Sequence, residues 1–316
     1  MLDTHTIIHH GDYSDYTGQA RQLEHISSES GVINYWSGKC RNLDIRGNAY
    51  YLRVSGSMPT FLYGTNFTEI ADYSEIQTGL NEISDYLSIH VFDWVLTRFD
   101  FPFNIELSES VKDYLLLYED HPTMKKATNF LRKGSQILYR DSSGYISMYD
   151  KIPECKNNNI PFPEDMVNAN VGRIERSFGK TYLNSTGIST AKSLLDPDFY
   201  QRAAIKFATD FFAIRRKKSL TALAELVPTN TKEINSILQA AGVEHLGYEQ
   251  TQSLIQKGKK LGASTPDARY RMQKHLRSYA DNPQFHFGNE LTKEFDSKVM
   301  QRFKDWGVSD EHFNIM

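Results

Sequence analysis

The stretch "SQILYRDSSGYISMYDK", Ser135–Lys151, decides the fold class. Two runs rich in aromatic and β-branched residues flank "DSSG", Asp141–Gly144. Aspartate and serine are turn formers, and a glycine supplies positive φ, so the segment reads as a β-hairpin. A hairpin needs further strands beside it to be stable. Candidates stand on both sides in "NAYYLRVSG" (48–56), "VFDWVLTRFDFPFNIEL" (91–107) and "NVGRIERSF" (170–178). Between the first two, Ile76, Leu80, Ile83, Leu87 and Ile89 recur at helical spacing, which predicts an amphipathic helix over 75–90. Residues 109–130 read as a short helix and then a polar loop, and "KNNNIPFPED" as a loop. After about residue 190 the pattern is helical. The expectation is an α+β fold: an antiparallel sheet packed with helices, followed by a helical C-terminal region. Residues 1–205 form the first unit and 206–316 the second.

The chain has 316 residues, 40% of them hydrophobic, which suffices for a large core; 18 Tyr and 18 Phe exclude a disordered composition. Neither an apolar run of transmembrane length nor a secretory signal is evident, so a cytoplasmic protein with no membrane partner is expected. Cys40 and Cys155 suit a reducing compartment and make no zinc pattern. Net charge is −3, but its distribution is uneven: residues 1–100 hold 6 Lys+Arg against 13 Asp+Glu, leaving 30 against 26 in the remainder. Arg215, Arg216, Lys217 and Lys218 form a basic block. A second one includes Lys257, Lys259 and Lys260. These blocks are the candidate phosphate contacts. "SLTALAELVPTNTKEINSILQAAGV" has the outline of a helix-turn-helix.

Side chains at i and i+2 of a strand share a face. Arg98 and Asp100 in "TRFDF" then point one way, as do Arg173 and Glu175 in "GRIER" and Tyr149 and Lys151 in "MYDK". If the three strands share a sheet, one face gathers two carboxylates, two arginines, a lysine and a tyrosine. Two carboxylates suit Mg²⁺ or Mn²⁺. Cations can stabilise charge on a reacting phosphate. Cations beside a tyrosine lower its pKa and favour a nucleophilic phenolate, with Lys151 expected in that role. Taken singly, an RxD or RxE pair is most simply a cross-strand salt bridge, and one tyrosine among 18 is packing. Tyr145 shares the face of Tyr149 and competes with it; Tyr139 is next in line. His9 and His10 in "IIHH" read as structural or surface residues.

The order "TRFDF … GYISMYDK … GRIER", with "GSMPTFLYGTN" (Gly56–Asn66) upstream, resembles the rolling-circle replication initiators of the filamentous-phage gene II protein family. It is also similar to the initiators of staphylococcal rolling-circle plasmids. The resemblance covers residues 50–180. It implies a metal-dependent nickase and strand transferase acting at a replication origin. Tyr149 would form a 5′-phosphotyrosine link and leave a 3′ hydroxyl as primer. Asp100 and Glu175 would bind the metal, Lys151 would follow the tyrosine, and Arg98 and Arg173 would flank it. Implied partners are origin DNA in single-stranded or hairpin form, a host helicase and polymerase, and a second copy of the chain, in a bacterial cytoplasm. The competing reading is a non-catalytic DNA-binding repressor or replication accessory protein. The chain has no P-loop, GxGxxG or GxSxG motif, which speaks against nucleotide hydrolases and serine hydrolases.

Overall fold

The computed structural model describes residues 2–13, 23–27, 33–70, 72–129, 136–187, 190–216 and 290–313, with isolated positions between 251 and 274. Ten strands form one sheet: β1 Thr4–His10, β2 Leu23–Ser27, β3 Ile33–Cys40, β4 Leu43–Asn48, β5 Tyr51–Ser57, β6 Val95–Leu107, β7 Lys125–Asn129, β8 Gln136–Asp141, β9 Gly144–Asp150 and β10 Asn170–Gly179. Their spatial order is β2-β3-β4-β5-β1-β6-β10-β9-β8-β7, and every neighbouring pair is antiparallel. The helices are α1 Met58–Tyr63, α2 Tyr73–Leu87, α3 Val111–Leu115, α4 Lys151–Asn158, α5 Lys180–Ser185, α6 Pro197–Phe212 and α7 Glu290–Asp305. The α+β class expected from the hairpin is what the chain adopts. No helix among the described residues is long and apolar enough to cross a membrane.

The longest strand, β6, shows why the sheet has two unlike faces. Phe99, Phe101 and Phe103 alternate with Arg98, Asp100 and Asn104. The phenylalanines meet the helices: Phe99 lies 4.6 Å from Phe199 and Phe103 5.7 Å from Phe207 on α6, centroid to centroid, while Phe103 also meets Phe303 on α7 at 5.7 Å. Aromatic burial of this kind contributes heavily to the core. Helix α2 starts with a reciprocal capping box between Asp72 and Glu75, as its sequence allows.

Three sequence expectations change. Lys125–Asn129, taken for loop, is the edge strand β7. Its side chains alternate too briefly to announce a strand before β8 is placed beside it. Lys151 is not in a strand with Tyr149; it opens α4, with Asp150 as N-cap. Pro153 accounts for this, since it cannot donate to a sheet ladder and sits readily in a first helical turn. The division at 205/206 falls inside α6, a continuous helix packed on the sheet. Helix α7 returns to the same core through Phe295, Val299 and Phe303.

The β8–β9 turn forms as read. Asp141 Oδ1 accepts from the backbone N–H of Ser143 (2.8 Å) and Gly144 (3.0 Å). Gly144 has φ +148°, and a Cβ there would lie 1.9 Å from the Ser177 carbonyl oxygen on β10. Gly144→Ala is expected to cost about 2–3 kcal/mol, strain and clash combined. Urea denaturation would check it; a change under about 0.5 kcal/mol would mean that the turn relaxes freely.

Candidate active site

The register of β6, β10 and β9 builds the site. Asp100 pairs with Ser177, Arg98 with Gly179 and Asn104 with Arg173. Ser177 pairs in turn with Tyr145, Glu175 with Ser147 and Arg173 with Tyr149. Directly paired residues project on the same face. Arg98, Asp100, Asn104, Arg173, Glu175, Ser177, Tyr145 and Tyr149 therefore share the face opposite the phenylalanines. Of the residues expected to converge from the i, i+2 argument, only Lys151 arrives by another route.

Two arginines organise the cluster. Arg98 grips Asp100 with two parallel bonds, Nε to Oδ1 at 2.9 Å and Nη2 to Oδ2 at 2.5 Å. Its Nη2 also donates to Tyr145 Oη (2.6 Å) and its Nε to Ser177 Oγ (3.1 Å). Asp100 is buried, so desolvation raises its proton affinity, with Arg98 opposing. Arg173 is fully buried and reaches four acceptors: Asp3 Oδ2 (2.5 Å), Asn66 O (3.1 Å), Asn104 Oδ1 (3.3 Å) and Glu175 Oε2 (3.4 Å). Asp3 also accepts from Ser57 Oγ at 2.5 Å. Lys151 is buried beside this group, its Nζ donating to Asn66 Oδ1 (2.7 Å) and Glu154 Oε2 (2.8 Å). Asn66 thus links Lys151 to Arg173.

The electrostatics correct one expectation. Cations were to lower the Tyr149 pKa; instead it stands well above the ordinary tyrosine value. Burial is the main cause, followed by the Glu175 charge, with Arg173 opposing and Glu154 and Asp3 adding to the rise. Lys151 is spent on Asn66 and Glu154. Tyr145 is raised too, by burial and then by Asp100 and Glu175. Glu175 itself is pushed up to about 7, by burial first, with Arg173 opposing and the charges of Asp100 and Asp3 adding. The buried centre of this face thus holds more negative charge than Arg98 and Arg173 offset.

Glu175 carries a stability consequence. Its folded pKa lies above the ordinary 4.5, so the stability that goes with the protonated form is complete below about pH 4.5 and is lost as pH rises through about 7. Glu175→Gln should remove that loss. Relative to the parent, the variant should gain about 2–3 kcal/mol between pH 5 and pH 8 in chemical denaturation. Equal pH dependence in both proteins would show that Glu175 titrates normally.

Asp100 and Glu175 offer the hard oxygen donors that Mg²⁺ or Mn²⁺ takes, and their raised proton affinities mark a place where a cation would be favoured. Among the described residues, no group of three or more His, Cys, Asp or Glu side chains converges as a metal cage. Both carboxylates are instead held by arginine.

Asp3 is the site residue that the sequence reading missed, and no local pattern announces it. Asn104 and Ser177 continue the i, i+2 rows of Arg98–Asp100 and Arg173–Glu175 and could have been found by extending them. Asn66 closes the quoted "GSMPTFLYGTN". The basic blocks fare differently. Arg216 is engaged inside the protein, with Asp296 at 3.0 Å and over the Tyr118 ring at 4.9 Å. Arg215 lines a crevice with Asp120, His121 and Lys125. Lys257 is exposed. Lys217, Lys218, Lys259, Lys260 and the helix-turn-helix candidate lie outside the described residues. His9 bonds Tyr13 Oη through Nδ1 (2.5 Å) and stacks on Trp94, while His10 is exposed. The chain matches no protein-family model and no curated protein.

Proposed function

We propose that this chain nicks and rejoins DNA at a replication origin, through a covalent link between Tyr149 and a 5′ phosphate. The observation that carries this reading is the convergence of Arg98, Asp100, Arg173, Glu175, Tyr145 and Tyr149 on one sheet face, from three strands far apart in sequence. A plain set of salt bridges would not need two phenols among the ion pairs.

In the proposed reaction, Tyr149 Oη attacks the scissile phosphorus. The Oη–P bond forms and the P–O3′ bond breaks; the phenol gives up its proton and the departing 3′ oxygen takes one up. One phosphodiester replaces another, so the bond energy is kept and rejoining is the same step reversed. Arg98 is half-exposed and presents cationic N–H groups toward charge building on the phosphate. Arg173 is anchored by four acceptors and holds Glu175 and Asn66 in place. A Mg²⁺ or Mn²⁺ ion on Asp100 and Glu175 would offset the charge that keeps Tyr149 protonated and would polarise a phosphate oxygen.

The test uses supercoiled DNA carrying the cognate origin, with Mg²⁺ or Mn²⁺. A nicked circle with protein on the 5′ end is the expected product. Tight binding with no nick under either metal would transfer the reading to a DNA-binding repressor or accessory protein and leave Asp100 and Glu175 as ion-pair residues.

A further inference from the structure

The site occupies the middle of a broad sheet face, and the register places unusual neighbours on either side of it. Arg46 on β4 stands directly opposite Arg53 on β5. Lys125 on β7 stands directly opposite Arg140 on β8. Like charges directly opposed across strands are destabilising. Here two such pairs occur in one sheet, and all four side chains are exposed. Among the described residues, none of the four lies within salt-bridge distance of a carboxylate.

Both pairs lie on the face of the candidate active site. Arg140 pairs with Tyr145, and its guanidinium carbon sits 5.8 Å from the Tyr145 ring centroid. Arg53 pairs with Ile8 of β1, and two residues earlier Thr6 pairs with Arg98. The pairing slips between Thr6 and Ile7, which sets Ile7 opposite Leu96, both buried; Thr6 and Ile8 stand two apart on β1, so Arg53 and Arg98 fall on the same outer face. The large helices α6 and α7 cover the opposite face through the phenylalanines.

We propose that the two cation pairs are phosphate grips for single-stranded nucleic acid, which crosses the open face from β4 to β7 and passes over Arg98 and Tyr145. This rests on the nicking reading for its substrate but assigns residues and a path that the reading does not need. From β4 to β7 there are seven strand-to-strand steps, or about 34 Å at about 4.8 Å each. A polyanion laid along that line relieves both repulsions at once. Exposed His10, its ring 6.4 Å from that of half-buried Tyr51, lies at the Arg53 end, where a base can stack. In this proposal the phosphate contacts lie on the sheet face, apart from the basic blocks of the C-terminal half.

The experiment measures binding of a fluorescent mixed-sequence single strand of about 20 nucleotides, longer than a typical site. It compares the full chain with the triple variant Arg46→Gln, Arg53→Gln, Arg140→Gln, across about 50 to 200 mM salt. Each lost contact removes about 0.7 from the slope of log K against log salt, so the slope should fall by about 2, with binding about tenfold weaker or more. A second triple variant, Lys293→Gln, Lys298→Gln, Lys304→Gln, removes equal charge from α7 and should change the slope by less than about 0.5. Equal weakening by both variants, or none by the first, overturns the proposal, as does failure of the parent to bind. If the parent binds without nicking and only the first variant weakens, the grips stand and the nicking reading falls. If the parent nicks and the first variant binds as the parent does, the reverse holds.

Discussion

Replacing Tyr149 by phenylalanine is expected to abolish the covalent protein–DNA adduct while leaving DNA binding within about twofold of the parent. The substitution removes one oxygen from a half-buried ring at the β9 position paired with Arg173. The phenol is held protonated by burial and by the Glu175, Glu154 and Asp3 charges. Its loss therefore withdraws no negative charge from the resting site and should leave the fold intact. Tyr145→Phe is the companion experiment. Tyr145 Oη accepts from Arg98 at 2.6 Å, so its loss frees one guanidinium N–H and should slow the reaction without abolishing the adduct. Adduct yield on a labelled origin strand separates the two. An adduct that survives Tyr149→Phe and vanishes with Tyr145→Phe would exchange their roles.

Arg173→Met is expected to cost about 3–5 kcal/mol of folding stability, because breaking a buried ion pair from one side leaves uncompensated charge. Asp3 loses its partner at 2.5 Å, and Glu175 loses the cation that opposes its raised proton affinity. The carbonyl of Asn66 and the amide of Asn104 lose donors as well. Combining Arg173→Met with Asp3→Asn should recover part of the loss, since the pair is in contact and the two effects will not add. Chemical denaturation of the three proteins gives the coupling. A loss under about 1 kcal/mol for Arg173→Met alone would mean that water enters and solvates the carboxylates.

Much of this arrangement can be read from the chain, because a strand repeats every two residues and a hairpin announces its own turn. "TRFDF" and "GRIER" state which residues share a face, and the "DSSG" turn sets β8 against β9. What does not follow from period two is adjacency. Nothing local says that β10 lies between β6 and β9, or that β1 inserts between β5 and β6 and so brings Asp3 to Arg173. Those are long-range pairings selected by the packing of Phe99, Phe101 and Phe103 beneath them. Alternation ends at Asp150, one step before Lys151, and Pro153 is the local signal for that end. Arg216 was misread for a different reason. A run of basic residues looks solvated in sequence, yet the guanidinium of Arg216 lies over the rings of Tyr118, Phe211 and Phe212. The opposed cation pairs follow from register, and the segments around Arg46, Arg53, Lys125 and Arg140 carry no turn motif as plain as "DSSG" to state it.

Alternation in β6 has an outcome for how this chain can change over generations. Its phenylalanines and its charged residues are interleaved one by one over a single strand, Val95–Leu107. Substitutions can alter either set while sparing the other. An inserted or deleted codon in the middle of that strand cannot, because a shift of one residue turns every later side chain over. It would send Asn104 and Glu106 into the helix-packed core and Phe103, Ile105 and Leu107 onto the open face together. The bulge where β1 meets β6, between Thr6 and Ile7, is the one place along β6 where the pairing already absorbs an extra residue, at Thr97. Length variation in relatives of this strand should therefore collect at that end and be purged from the stretch between Arg98 and Leu107.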